Sequence, residues 1–137
     1  MPEFEIDLGD CNGAAWYNSR DDFTRGFTEA MFFTGADMGD DLEGATVADL
    51  APETREKIGA LSMQFQRLNR ADLAEACECP GYDMQQAGRD FWYTSQGHGT
   101  GYWDGDLPEA LGDRLTAAAK QHDTDGTYRG DDGKVYL

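Results

Sequence analysis

Between Asp90 and Asp104 two aromatic runs, Phe91-Trp92-Tyr93 and Tyr102-Trp103, flank a segment that holds Gly97, Gly99 and Gly101. Aromatic side chains suit a pleated, half-buried surface, and glycine takes the positive φ that a tight connection requires. The stretch therefore reads as a β-hairpin over residues 90–104 on which the rest of the chain packs. A second hairpin is expected over 127–137, with Asp132-Gly133 as its turn. The fold class that follows is α+β: a small antiparallel β-sheet, built from the aromatic hairpin 90–104 and the C-terminal hairpin 127–137, packed against two or three helices.

The surest helix begins at Pro52. Glu53 and Glu56 suit the positive end of a helix dipole, and Ile58, Leu61, Phe65 and Leu68 make one apolar stripe. Leu73 and Ala76 extend it past a bend near Asn69, and Cys79-Pro80-Gly81 ends it. Its cations Arg55, Lys57, Arg67 and Arg70 are expected to pair internally with acids elsewhere. A helix is also expected from Asp21-Asp22 through Phe23, Phe27, Ala30 and Met31, with Gly26 weakening the pattern and Phe32-Phe33-Thr34 leaving a strand open. Asp83 is read as the N-cap of a short helix running through Ala87 and closed by Gly88. Asp106 is read as the cap of a helix with Pro108 in its first turn and Leu107, Leu111, Leu115 and Ala118 on its buried side. At the start of the chain, residues 3–8 alternate Phe4, Ile6 and Leu8 with acids, the pattern of a half-exposed strand. Cys11-Asn12-Gly13 is a turn signal, and Trp16-Tyr17 fits a second short strand or a loop anchor.

The chain of 137 residues is expected to form a single domain, 1–137, and its 39% hydrophobic content is too high for a disordered chain. No apolar run approaches the roughly 20 residues of a membrane span, and no basic segment precedes an apolar leader core. The expectation is a cytoplasmic protein without membrane contact. The net charge of −16 is the feature with the widest consequences. Residues 1–50 carry twelve acids against two bases, 51–100 seven against five, and 101–137 eight against four. Binding nucleic acid or an anionic membrane rests on lysine and arginine, so neither is an expected direct partner. A basic protein surface is the natural one, and long-range attraction would speed the encounter.

Little in the chain has the spacing of a reactive centre. His98, between Gly97 and Gly99, is the best-placed imidazole for acid–base work, with Asp104 or Asp90 to orient it, yet no nucleophile stands at a fixed local spacing. Cys11, Cys77 and Cys79 are too few for a disulfide scaffold, and C-x-C departs from the usual zinc spacing. Asp37, Asp40, Asp41 and Glu43 lie in a glycine-rich acidic segment that lacks the alternating ligands and final glutamate of a calcium loop. Asp-Gly turn chemistry accounts for the acids at 123–126 and 131–133. The aromatic cluster would need a basic groove to stack nucleobases, and Arg89 is the only cation near it in sequence. No cofactor or metal is expected.

The order Gly88-Arg89-Asp90-Phe91-Trp92-Tyr93-Thr94, His98-Gly99-Thr100-Gly101-Tyr102-Trp103-Asp104, Gly112-Asp113-Arg114-Leu115-Thr116 and Tyr128-Arg129-Gly130-Asp131-Asp132-Gly133-Lys134 carries a resemblance. It resembles a family of small phage and prophage proteins that share D-F-W-x-T, H-G-x-G-[FY]-W-D, G-D-x-L-T and G-D-D-G-K in that order. An Ala-Pro-Glu-Thr like residues 51–54 also recurs in them. The resemblance covers 48–137, a family-like core. The acidic N-terminal part, 1–47, lies outside it. Tyr93 departs from the pattern where an aliphatic residue is common, and Gln96 where the turn is usually more basic or amide-rich. What the resemblance implies is origin: a phage-encoded accessory protein of a host cytoplasm.

Charge and resemblance together lead to the expectation of a non-enzymatic inhibitor or decoy of the anti-CRISPR or anti-restriction type. It would bind the basic, nucleic-acid-binding surface of a host defence or DNA/RNA-handling protein. The residues expected to meet that partner are Asp21, Asp22, Glu29, Asp37, Asp40, Asp41 and Glu43, with His98 and Asp104 as further functional positions. Two alternatives stay open. One is a small enzyme or metal protein centred on His98. The other is an accessory or scaffold protein, dimeric for instance, whose acidity serves solubility or high salt.

Overall fold

Two aspartates start the two helices at the centre of the molecule. In the computed structural model, which describes residues 6–34, 42, 44–97, 101–103, 105–122 and 127–137, six helices precede one short antiparallel sheet. The helices are α1 (Cys11–Asn18), α2 (Asp22–Phe33), α3 (Pro52–Leu68), α4 (Arg70–Cys77), α5 (Met84–Ser95) and α6 (Glu109–Lys120). A 3₁₀ turn spans Val47–Asp49, and the strands are β1 (Tyr128–Arg129) and β2 (Val135–Tyr136). The fold is mostly helical with a small two-stranded sheet. Asp21 caps α2 by accepting the Thr24 N–H at 2.9 Å, and Asp83 caps α5 by accepting that of Gln86 at 2.8 Å. Each satisfies a donor that the first turn leaves orphaned.

The most extensive contact between described elements is α2 against α5. A glycine on each helix makes it possible. A β-carbon at Gly26 would lie 1.9 Å from the Gln85 carbonyl oxygen, and one at Gly88 would lie 1.9 Å from that of Phe23. Both glycines are therefore contact points between backbones, and neither breaks its helix. The short helix expected to end at Gly88 instead runs on to Ser95.

That extension overturns the aromatic hairpin. Phe91, Trp92 and Tyr93 are the last turns of α5, not a strand. Ala87, Gly88, Phe91 and Trp92 recur at helical spacing and are all buried, so burial against α2 overrides the β preference of the aromatic triplet. Gly97 takes φ +73° just past the helix end, with its N–H bonded to the Thr94 carbonyl at 3.2 Å. It is the left-handed residue that closes a helix. The chain then returns so that Tyr102 enters the core, its hydroxyl donating to the Ala87 carbonyl at 2.7 Å.

The C-terminal hairpin forms as expected, pairing Tyr128 with Tyr136 and Arg129 with Val135. It does not join the aromatic segment. Val135 bridges Leu50 in parallel, and its carbonyl accepts from Thr54 Oγ1 at 2.8 Å and from the Ala51 N–H at 3.1 Å. The hairpin thus clamps the start of α3.

Helix α3 begins at Pro52, and the expected bend falls at Asn69, whose φ of −122° separates α3 from α4. Ile58 and Phe65 of the predicted stripe are fully buried, Leu61 is half-buried, and Leu68 is 67% exposed because the bend carries it off the core side. Helix α6 buries Leu111 and Leu115, but its N-cap is Pro108, not Asp106. Trp16 and Tyr17 lie on α1, and Cys11-Asn12-Gly13 is its first turn, because Asp10 accepts the Gly13 N–H at 2.8 Å and starts a helix there. Residues 6–8 of the expected N-terminal strand have no regular structure, and residues 1–5 lie outside the described residues.

The core is aromatic. Phe65 and Phe91 stack with centroids 4.3 Å apart, Phe23 and Phe27 pack on Phe91, and Trp92 meets Phe27 edge-on at 5.3 Å. Among the described residues no helix is long and apolar enough to cross a membrane.

Candidate functional site

Of the acids expected to meet a partner, three lie among the described residues. Asp21 is held by the α2 cap and by a 3.1 Å bond from Gln66 Nε2. Partial desolvation pushes its carboxyl up, but the hydrogen bonds from Thr24 and Gln66 and the nearby Arg20 outweigh this and hold it below its ordinary value. Asp22, in the first turn, pairs with Arg25. Glu29 accepts from Gln85 and lies 3.8 Å from Arg89. Asp21 and Glu29 thus tie α2 to α3 and α5 respectively. Asp37, Asp40, Asp41, Glu43, His98 and Asp104 lie outside the described residues.

A polar knot is buried beneath α5. Asp90 accepts from the Tyr82 hydroxyl at 2.8 Å and from Gln86 Nε2 at 3.1 Å, while the Tyr102 hydroxyl reaches the Ala87 carbonyl one turn earlier. The Trp92 indole N–H donates to Thr34 Oγ1 at 2.9 Å. Phe91, Trp92 and Tyr102 are thereby committed to the interior, whereas Tyr93 is half-buried and Trp103 is 42% exposed. Three tyrosines in these contacts resist ionisation. Desolvation, followed by the charge and hydrogen bond of Glu29, pushes Tyr17 up to about 12. Burial and then the Asp90 charge raise Tyr82 and Tyr102 well above the ordinary phenol value near 10.

The sign of the effect is fixed by linkage. A group whose pKa is raised by folding holds its proton longer in the native state, so stability is full below about pH 10 and falls as pH rises toward 12 and beyond. Phenolate absorbance near 295 nm and far-UV circular dichroism are therefore expected to change together in one cooperative alkaline step. A smooth titration of all six tyrosines centred near pH 10, with the helical signal intact, would contradict these environments.

The cysteines are free, and no group of three metal-ligating side chains occurs among the described residues. Among the described residues Arg55, Lys57, Arg67 and Arg70 form no ion pair with an acid. Arg55 donates to Asn12 Oδ1 at 3.1 Å and lies 5.6 Å from the Trp16 ring, and Lys57 donates to the Leu137 carbonyl at 3.0 Å. Arg67 and Arg70 are exposed and pair with no acid among the described residues.

Those two arginines edge a trough that sequence reasoning missed. It has a volume of about 720 Å³ between the α1–α2 connection, α3, α4 and the start of α5, and is open to solvent. Arg20, Asp21, Arg67 and Arg70 supply its charges, and Met63, Leu73 and Met84 its apolar surface. One sequence signal pointed to it: Gly59, in the interior of α3, where glycine costs about 1 kcal/mol relative to alanine. No family model, curated protein or solved structure matches the chain.

Proposed function

We propose that this protein is a phage-encoded acidic binding protein, not an enzyme, which occupies a basic nucleic-acid-binding surface of a host protein in the cytoplasm. The observation that carries the reading is charge: −16 overall, with 27 acids against 11 bases. The cations do little to offset it on the surface. Arg25, Arg89 and Arg114 engage Asp22, Glu29, Asp72 and Glu75, whereas the exposed Glu53, Glu56, Glu78, Glu109 and Asp113 have no ion-pair partner among the described residues. Glu109 and Asp113 are four residues apart on α6, so they share a face of that helix. Carboxylates so displayed meet an arginine- and lysine-rich groove much as phosphates do. The interaction gains its speed from long-range attraction and loses strength as salt screens it.

The test is a pull-down from bacterial lysate with the purified protein, eluted by a salt gradient and by competing DNA or RNA. A nucleic-acid-binding protein released by moderate salt and by nucleic acid is the expected result. Replacing Asp40 and Asp41 with asparagine is expected to weaken that complex about 2- to 30-fold, given about 0.2–1 kcal/mol for each exposed charge pair lost. Failure of nucleic acid to compete would overturn the decoy reading.

A further inference from the structure

The trough between α2, α3 and α4 has the opposite sign to the rest of the surface. Three guanidinium groups line it against the single carboxylate of Asp21. Arg20 is held in place, its guanidinium carbon 5.7 Å from the Trp16 ring centroid and its Nη2 donating to Ser19 Oγ at 2.9 Å. Arg67 and Arg70, which also line the trough, have no hydrogen-bond or ion-pair partner among the described residues.

Gly59 supplies the independent observation. Elsewhere the helix-interior glycines are explained from within, since Gly26 and Gly88 let two backbones cross. At Gly59 a β-carbon would meet nothing within 4 Å, so no internal contact requires its absence. The helix accepts its poorest common residue apart from proline at a place that faces the trough. Beside it Met63 is 62% exposed, an unbranched side chain that adapts its shape to an apolar occupant.

From this juxtaposition we propose that the trough docks a short segment of a partner protein in which a carboxylate side chain stands beside apolar ones. The carboxylate takes the Arg67–Arg70 edge, where the guanidinium fork matches its geometry, and an apolar side chain lies over Gly59 against Met63. Its open face favours a peptide over a small ligand, which needs a pocket that encloses most of its surface. Asp21, held ionised in the same trough, disfavours a doubly charged phosphate. This site does not rest on the decoy reading, which concerns a basic partner surface.

The test is selection from a random 12-residue peptide display library on the intact protein, with Gly59→Trp as the counter-target. Peptides rich in Asp or Glu beside Leu, Phe or Met are expected. As synthetic fluorescein conjugates they should lose at least tenfold in affinity, by anisotropy, on Gly59→Trp and about tenfold on Arg67→Glu/Arg70→Glu. Unchanged circular dichroism and Tm would confirm that Gly59→Trp folds, and Gly59→Gln is the second variant if they change. Selection of basic peptides, of none, or of peptides that bind the Gly59 variants as well as the wild type would overturn the proposal. Basic winners would at the same time favour the decoy reading, which keeps the two apart.

Discussion

Gly88→Ala is expected to destabilise the protein by about 3 kcal/mol or more, the upper part of the range for overpacked sites. Two effects oppose each other. Alanine is the better helix former by about 1 kcal/mol, and that gain would dominate at a free position. Here the new methyl would stand 1.9 Å from the Phe23 carbonyl oxygen and 2.9 Å from the Phe27 nitrogen. Those atoms belong to the backbone of α2 and cannot rotate away, so the two helices must separate. Separation would uncover Phe23, Phe27, Phe91 and Trp92 together. Gly26→Ala should behave alike, because its β-carbon would meet the Gln85 carbonyl oxygen at the same 1.9 Å. Gly59→Ala should instead gain about 1 kcal/mol, since only the propensity effect acts there. Urea unfolding midpoints of the three variants check the contrast; a Gly88→Ala protein as stable as the wild type would show that α2 and α5 do not cross in this way.

The second large effect is expected at Phe91. Its ring stacks on Phe65, tilts against Phe23 and Phe27, and receives the edge of His122 at 5.6 Å. Truncation to alanine removes a fully buried ring and leaves a cavity that backbones on three sides cannot fill. The expected cost is about 4 kcal/mol, within the range for buried Phe→Ala. Set against the 5–15 kcal/mol typical of a domain, that leaves the fold marginal. Phe91→Leu, which keeps most of the apolar volume, should cost clearly less. Equal and small losses for both would place Phe91 on a surface strand, as the aromatic hairpin would have had it.

That hairpin shows where local pattern misleads. Aromatic triplets and nearby glycines satisfy the rules for strand and turn, but the same residues continue the spacing set by Asp83, Ala87 and Gly88. Asp83 reads as a cap, but Gly88 resembles a terminator when its neighbour across space is unknown, so the local pattern stops at Ala87 a helix that runs eight residues further, to Ser95. Asp21 and Glu29 misled in a similar way. As sequence they are two more acids in an acidic region; in the structure their oxygens bind Thr24, Gln66, Gln85 and Arg89.

Several features whose controlling interaction is local were determined by the sequence itself. Helix α3 from Pro52, its break at Asn69, the caps at Asp21 and Asp83, and the C-terminal turn at Asp132-Gly133 all depend on neighbours within a few residues. The acidity too is a property of composition alone. Only the tertiary structure decided that Phe91 is helical, that Gly26 and Gly88 are a crossing point, that the C-terminal hairpin docks on the start of α3, and that Arg20, Arg67 and Arg70 line one trough. Each of these rests on contacts between segments far apart in the chain. Their burial energy outweighs local preference, and no short window of sequence contains both partners.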